Sequence, residues 1–197
     1  SIPDHPGGNL QVLIDTGSGF GESDADLVEN LEIIDREIPS RVSVETLTHI
    51  LITHGHIDHF GGLPFLTQHS PARVGIHELD LKSVIHFEER LEIMSGRLAI
   101  FLREAGVEDS VRSNMLNTYR RSKLAFTSTE IDFTYEDIGM RLGPFEFFHV
   151  PGHCPGQVVI RLEDVLFGGD DVLSDITPHQ SPEALTAYTG LGHYLAS

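Results

Sequence analysis

Apolar and polar residues along this chain fall into blocks whose period changes several times. Residues 10–15, LQVLID, are mostly apolar and run into Thr16-Gly17-Ser18-Gly19, the pattern of a buried strand that ends in a glycine turn. Leu27, Leu31, Ile34 and Ile38 then recur at spacings of four, three and four. That is one face of a helix over 24–38, stopped by Pro39. The β-branched run TLTHILIT at 46–53 is too short and too uniformly apolar for an amphipathic helix, and predicts a second buried strand. ARVGIH at 72–77 predicts a third. From Val84 through Phe87, Leu91, Met94 and Leu98 to Phe101, apolar positions step by three or four without a proline; this predicts one long helix closed by Gly106. A further helix is expected over 110–126. After Thr127, β-like runs return as MRLGPFEFFHV (140–150), QVVIRL (157–162) and VLFGGD (165–170). Ser181-Pro182-Glu183 opens a last helix over 181–196, a capping serine with proline at the first helical position. The order strand, helix, strand, helices, three strands, helix describes a mixed, layered α/β domain over 1–197 with a helical insertion at about 80–126.

Composition narrows what such a domain could bind. A chain of 197 residues with 40% hydrophobic content has room for one domain with a sizeable core. Thirteen Lys and Arg against 30 Asp and Glu give a formal net charge of −17, which repels phosphate backbones and anionic lipid. The expected partner is a small-molecule substrate, with neither nucleic acid nor membrane, and homo-oligomerisation left open. Cys154 is the only cysteine, so no intrachain disulfide can form. No run approaches the roughly 20 apolar residues that span a bilayer, and SIPDHPGG is not a secretory signal. A soluble, cytoplasmic protein is expected. Much of the scarce positive charge gathers at Tyr119, Arg120, Arg121 and Lys123, read as a solvated helical face.

The densest chemistry lies in ITHGHIDHFGG, residues 52–62. In extended chain, residues i and i+2 point the same way, so His54 and His56 can present two imidazoles to one point. If the chain curls at Asp58, then Asp58 and His59 aim at a neighbouring point. One short segment can thus serve two metal ions, the arrangement of two-metal hydrolysis, in which the ions sit roughly 3.5 to 4 Å apart. Gly61 and Gly62 remove side chains where the following helix packs close. His5, His49, His69, His77 and His86 lack ligand spacing and are assigned to surface or packing. His149 belongs to its strand, and Cys154 to packing rather than nucleophilic chemistry.

Thr53 to Gly62 matches T-H-x-H-x-D-H-x-G-G at every fixed position, and here the chain resembles the metallo-β-lactamase superfamily, in particular its glyoxalase II-like branch. LIDTG (13–17) is similar to the family's early strand ending in an aspartate that supports the ligands from behind, here Asp15. VPGHCPG (150–156) resembles the family's P-G-H-[ST]-P-G element, and LFGGD (166–170) the strand whose terminal aspartate bridges two metals. The resemblance implies a four-layer αβ/βα sandwich. It also implies metal one on His54, His56 and His153, metal two on Asp58 and His59, and Asp170 bridging, with Asp171 a weaker alternative. Two divalent ions would be the cofactors, zinc ahead of iron or manganese. Two divalent ions less two aspartates and one bridging hydroxide leave a residual positive charge, which helps hold hydroxide near neutral pH. The resemblance implies attack of that hydroxide on an acyl carbon, with Asp58 orienting it and shuttling its proton.

The pattern departs at both ends. The family's further histidine for metal two follows the helix after Asp170, where this chain stops at Ser197; His179 and His193 are read as non-ligating. The family's sheet also has strands before residue 10, so the chain is read as lacking both ends of a larger protein. The expected activity is hydrolysis of a thioester, ester or lactone, with an iron-dependent sulfur dioxygenase or other redox member of the fold as the alternative. The acidic charge disfavours a nuclease; the absent secretion signal and the Asp58-containing motif disfavour antibiotic hydrolysis. A binding protein that kept the scaffold and lost turnover rests only on the missing last ligand.

Overall fold

The computed structural model describes residues 9–38 and 42–197; His5 and the opening SIPDHPGG lie outside them. Strand β1 (Val12–Ile14) leads through the glycine turn into helix α1 (Ser23–Glu37). A short 3-10 turn (Val44–Thr46) precedes β2 (His49–Leu51), which delivers the histidine segment to α2 (Ile57–Phe60) and α3 (Leu63–His69). β3 (Arg73–Ile76) is followed by α4 (Glu78–Ile85), α5 (Phe87–Glu104) and α6 (Asp109–Arg121). Then come β4 (Phe133–Thr134), β5 (Arg141–Leu142), β6 (Phe145–His149), β7 (Val158–Leu162), β8 (Val165–Phe167) and α7 (Leu191–Ala196).

β1 to β4 form a parallel sheet in sequence order, and β5 to β8 an antiparallel sheet in sequence order. Sequential parallel strands require crossovers, and α1, the α2–α3 pair and the α4–α6 insertion are the crossover segments. One core lies between the parallel sheet and its helices, built from Ile50, Ile52, Val74 and Ile76 against Leu31, Phe60, Leu63, Leu66, Val84 and Phe87. A second fills the space between the two sheets, where Leu51 and Phe133 meet Phe145, Phe147, Val158 and Ile160. The parallel strands are therefore apolar on both faces, whereas β6 and β7 alternate, burying Phe147 and Ile160 while Phe148 and Arg161 face outward. Tyr135 stacks on Phe147 at 4.0 Å between ring centroids, and its fully buried hydroxyl bonds Ile52 O (2.9 Å) and Gly75 O (3.0 Å) at the C-terminal ends of β2 and β3. No helix among the described residues is long and apolar enough to cross a membrane.

Four expectations are corrected. The single helix through 84–101 is two, broken at His86 (φ −130°, ψ 45°), where Ser128 Oγ accepts from Phe87 N (2.9 Å) and Thr129 N donates to Val84 O. A distant segment supplies the hydrogen bonds that a continuous helix would have made itself. The run 140–150 is a hairpin, turned at Gly143 with φ 55°. Strand β4 adds a pairing that sequence reading missed. The last helix starts at Leu191 rather than Ser181, because Tyr188 (φ 64°) and Gly190 (φ 104°) break it and Gly190 N instead donates to Gly152 O at 2.8 Å.

His77 packs as expected, with a specific role. Its Nδ1 accepts from Leu79 N (3.2 Å) as the cap of α4, its Nε2 lies 2.8 Å from Glu136 Oε1, and its ring stacks on His149 at 4.0 Å. Burial, with His149 beside it, pushes its pKa down to about 4 despite Glu136. The folded pKa lies below the unfolded value, so the unfolded chain takes up the proton first as pH falls, and stability present above about pH 6.5 is lost toward pH 4 at up to ~1.4 kcal/mol per pH unit. His77→Asn is expected to flatten that part of a pH series of urea unfolding; an unchanged slope would assign it to other groups.

Candidate metal centre

The centre forms where β2 ends. Ile52 and Thr53 are buried and extend the strand past its last ladder pair, carrying fully buried His54 into the space between the two sheet ends. His56 sits in extended conformation (φ −95°, ψ 146°) at the start of α2, so His54 and His56 point the same way and His54 Nε2 lies 3.0 Å from His56 Nδ1. The turn into α2 then swings Asp58 and His59 to the neighbouring position. Gly61 and Gly62 allow the next helix to close on the β1 loop: a Cβ on Gly61 would lie 2.1 Å from Ser18 O, and one on Gly62 2.6 Å from Thr16 O.

Two groups of ligand atoms converge, each with its members within 4.8 Å of one another: His54, His56 and His153, and His54, His59 and Asp170. His54 is common to both. The expected set is thus brought together except Asp58, whose side chain is 70% exposed with Oδ2 3.9 Å from His59 Nε2; it stands at the rim, outside both groups. Asp170 reaches both halves, Oδ1 to His59 Nε2 at 3.3 Å and Oδ2 to His153 Nε2 at 3.5 Å. Asp171 joins neither group. His193 is turned away, paired with Glu183 at 2.9 Å.

Each imidazole is oriented from behind. Asp15, held at φ 58°, accepts from Thr53 N (2.7 Å), Thr53 Oγ1 (2.8 Å) and His59 Nδ1 (2.8 Å), which leaves His59 Nε2 facing the centre. His153 Nδ1 donates to His179 O at 2.8 Å; His179 therefore serves through its carbonyl. His153 Nε2 is buried without a hydrogen-bond partner. A nitrogen lone pair oriented into a buried cluster of imidazoles and a carboxylate fits a divalent metal, which removes the desolvation penalty an orphaned acceptor would carry. Burial and the neighbouring histidines push the His54 pKa far down, and burial with His153 lowers that of His56 to about 3. Both are neutral at pH 7, the form that donates a lone pair. For His59, burial is outweighed by the Asp15 hydrogen bond and the charges of Asp15, Asp170 and Asp58, and its pKa rises.

Sequence reading missed three supports. Asp80, fully buried in α4, accepts from Gly55 N (2.7 Å), Gly156 N (2.9 Å) and Cys154 Sγ (3.2 Å), tying the two histidine loops together; Cys154 is a buried donor, consistent with a packing role. Gln157, also fully buried, donates to Gly168 O at 3.2 Å. Thr53 braces His54 Nδ1 at 3.1 Å. An Asp in the first turn of α4 gives no periodic signal, which is why only the fold reveals it.

Histidines and a carboxylate converging at strand ends in a two-sheet α/β sandwich make a candidate metal centre. The family model of the metallo-beta-lactamase superfamily matches residues 5–197, and the chain belongs to that superfamily. Over 64 residues it is 42% identical to the lactamase-like protein vrtG of Penicillium aethiopicum, covering 32% of this chain and 18% of that protein. A metallo-beta-lactamase family protein of Thermus thermophilus superposes with a TM-score of 0.66 at 22% identity, over 93% of this chain and 58% of that one. A protein crystallised in a di-iron-bound form superposes at 0.51 and 22% identity, over 95% of this chain and 77% of its own. The chain thus spans less than two thirds of the fungal and Thermus proteins, and these structures establish the shared fold.

Proposed function

We propose that this protein is a metal-dependent hydrolase that cleaves a thioester, ester or lactone. The observation that carries the reading is the pair of ligand groups sharing His54, beside a cleft of about 410 Å³ lined by His56 and His153, a size suited to a small molecule. His54, His56 and His153 would hold one divalent ion; His59 and Asp170, with Asp58 swinging in from the rim, would hold a second. When bound, such ions supply water acidified from a pKa of 15.7 to about 7 and a Lewis acid for an acyl oxygen. Asp58, exposed beside His59, would accept the proton that such a water releases and return it to the leaving group. Asp15 keeps His59 in one tautomer and orientation, and Asp170 spans the two groups.

Elemental analysis of the purified protein with its His54→Ala and Asp170→Ala variants tests this. Close to two zinc or manganese ions per chain, with most of the metal lost in His54→Ala and about one ion lost in Asp170→Ala, accompanied by wild-type turnover of thioesters, esters or lactones, is expected. One iron per chain would replace the reading by an iron-dependent sulfur dioxygenase. A folded protein free of metal would overturn both.

A further inference from the structure

The cleft beside the metal centre is walled by the insertion. Phe87, Leu91, Met94 and Leu98 line it as one stripe of α5, an apolar surface matched to an acyl chain. Within the stripe stands Arg90, whose Nε is buried without a hydrogen-bond partner. Opposite it, Lys123 lies just after α6 with Nζ 5.1 Å from the centre of the Tyr119 ring. Arg112 pairs with Asp109, Arg120 with Glu92, and Arg141 and Arg161 with Glu146; the other described basic side chains without an ion pair lie exposed, whereas Arg90 and Lys123 are half-buried. Neither Arg90 nor Lys123 has an ion pair among the described residues. In a chain with 30 acidic residues against 13 basic ones, two unpaired cations in one apolar cleft are a departure that calls for an outside anion.

Their placement says where that anion sits. Arg90, Tyr119 and Lys123 line the same cleft as His56 and His153, so the two cations border the cleft that opens on the metal centre. The expected solvated face at 119–123 is thereby split: Arg120 is tied to Glu92 outside, whereas Tyr119 and Lys123 turn inward. We propose that the cleft selects acyl substrates carrying a carboxylate at the end of the chain, with the α5 stripe taking the chain and Arg90, Lys123 and the Tyr119 hydroxyl taking the terminal anion. The identity of the cleaved bond rests on the hydrolase reading; the anion subsite does not.

Two probe pairs separate the two claims. The metal-loaded protein is given phenyl hexanoate and monophenyl adipate, which differ in a terminal methyl against a carboxylate. Binding of the corresponding anilides, hexananilide and adipic acid monoanilide, is measured by calorimetry. The wild type is expected to favour the charged member of each pair by about tenfold or more. Arg90→Met and Lys123→Met bring the ratio to near one, while Arg120→Met on the outer face retains it. A thermal melt checks each variant, and Lys123→Gln replaces a methionine variant that does not fold. A wild-type ratio near one for the anilides, or a ratio that survives both substitutions, overturns the subsite. Anilide discrimination without turnover of either ester keeps the subsite and removes the hydrolase reading; turnover of both esters without discrimination does the reverse.

Discussion

On the proposed hydrolase reading, His153→Ala is expected to weaken metal binding at the His54 and His56 group and lower kcat/KM by on the order of 10³-fold, about 4 kcal/mol of transition-state stabilisation at roughly 1.36 kcal/mol per decade. The reason lies in the geometry around one ring. His153 is held by its Nδ1 on the carbonyl of His179 at 2.8 Å, and its buried Nε2 has no protein partner. Its other nitrogen is therefore available to complete the His54 and His56 group and to face Asp170 Oδ2 at 3.5 Å. Without it, two neutral imidazoles remain, one short of the three protein ligands of a catalytic zinc site. The fold should survive, since the ring lies in a loop rather than in either core. The readout separates the two effects: adding zinc should raise the thermal midpoint of the wild type through binding to the native state, and raise that of His153→Ala by clearly less, through the His54, His59 and Asp170 group alone. A variant that gained as much stability from zinc as the wild type would place the ion elsewhere.

How far this could be read from the sequence depended on how local each cause was. The short ligand segment was legible because its geometry is set within six residues: extended backbone aligns His54 with His56, and the turn into α2 redirects Asp58 and His59. His153 and Asp170 were reached only through resemblance, because nothing near them in the chain announces the long separation from His54 that the fold closes. Strand positions were legible and their lengths were not. TLTHILIT pairs over His49–Leu51 alone, since its last residues leave the ladder to enter the metal centre. Helix periodicity ran unbroken through His86, yet the helix breaks there because Ser128 and Thr129, far along the chain, supply competing hydrogen bonds. The serine and proline at 181–182 are a sound local start signal, overridden by the docking of Gly190 on Gly152. Asp58 was expected among the ligands and stands at their rim, and the cations at 119–123 were expected in solvent, whereas Lys123 borders the cleft.

Asp80→Ala is expected to destabilise the protein by roughly 3 kcal/mol or more and to weaken metal binding by about 10- to 100-fold, although Asp80 touches no ligand side chain. Its carboxylate is the shared acceptor for Gly55 N, between His54 and His56, and for Gly156 N, three residues beyond His153. Removal leaves those two amides and the Cys154 thiol buried without a partner, at about 1–3 kcal/mol for each amide, and opens a void between loops packed tightly enough that a Cβ on Gly156 would lie 2.6 Å from Asp80 Cγ. Burial pushes the Asp80 pKa up while the thiol and the two amides pull it back, so these hydrogen bonds make the buried carboxylate tolerable. Asp80→Asn keeps the shape but turns an amide N–H toward at least one donor, and should fall between wild type and alanine in both urea unfolding and zinc affinity. The coupling of the two readouts is what identifies the role: a residue that only filled the core would lower stability in metal-free and metal-loaded protein equally. Loss of stability with unchanged zinc affinity would mean that the histidine loops hold their positions without the carboxylate between them, and that the ends of β2 and β6 alone set the centre.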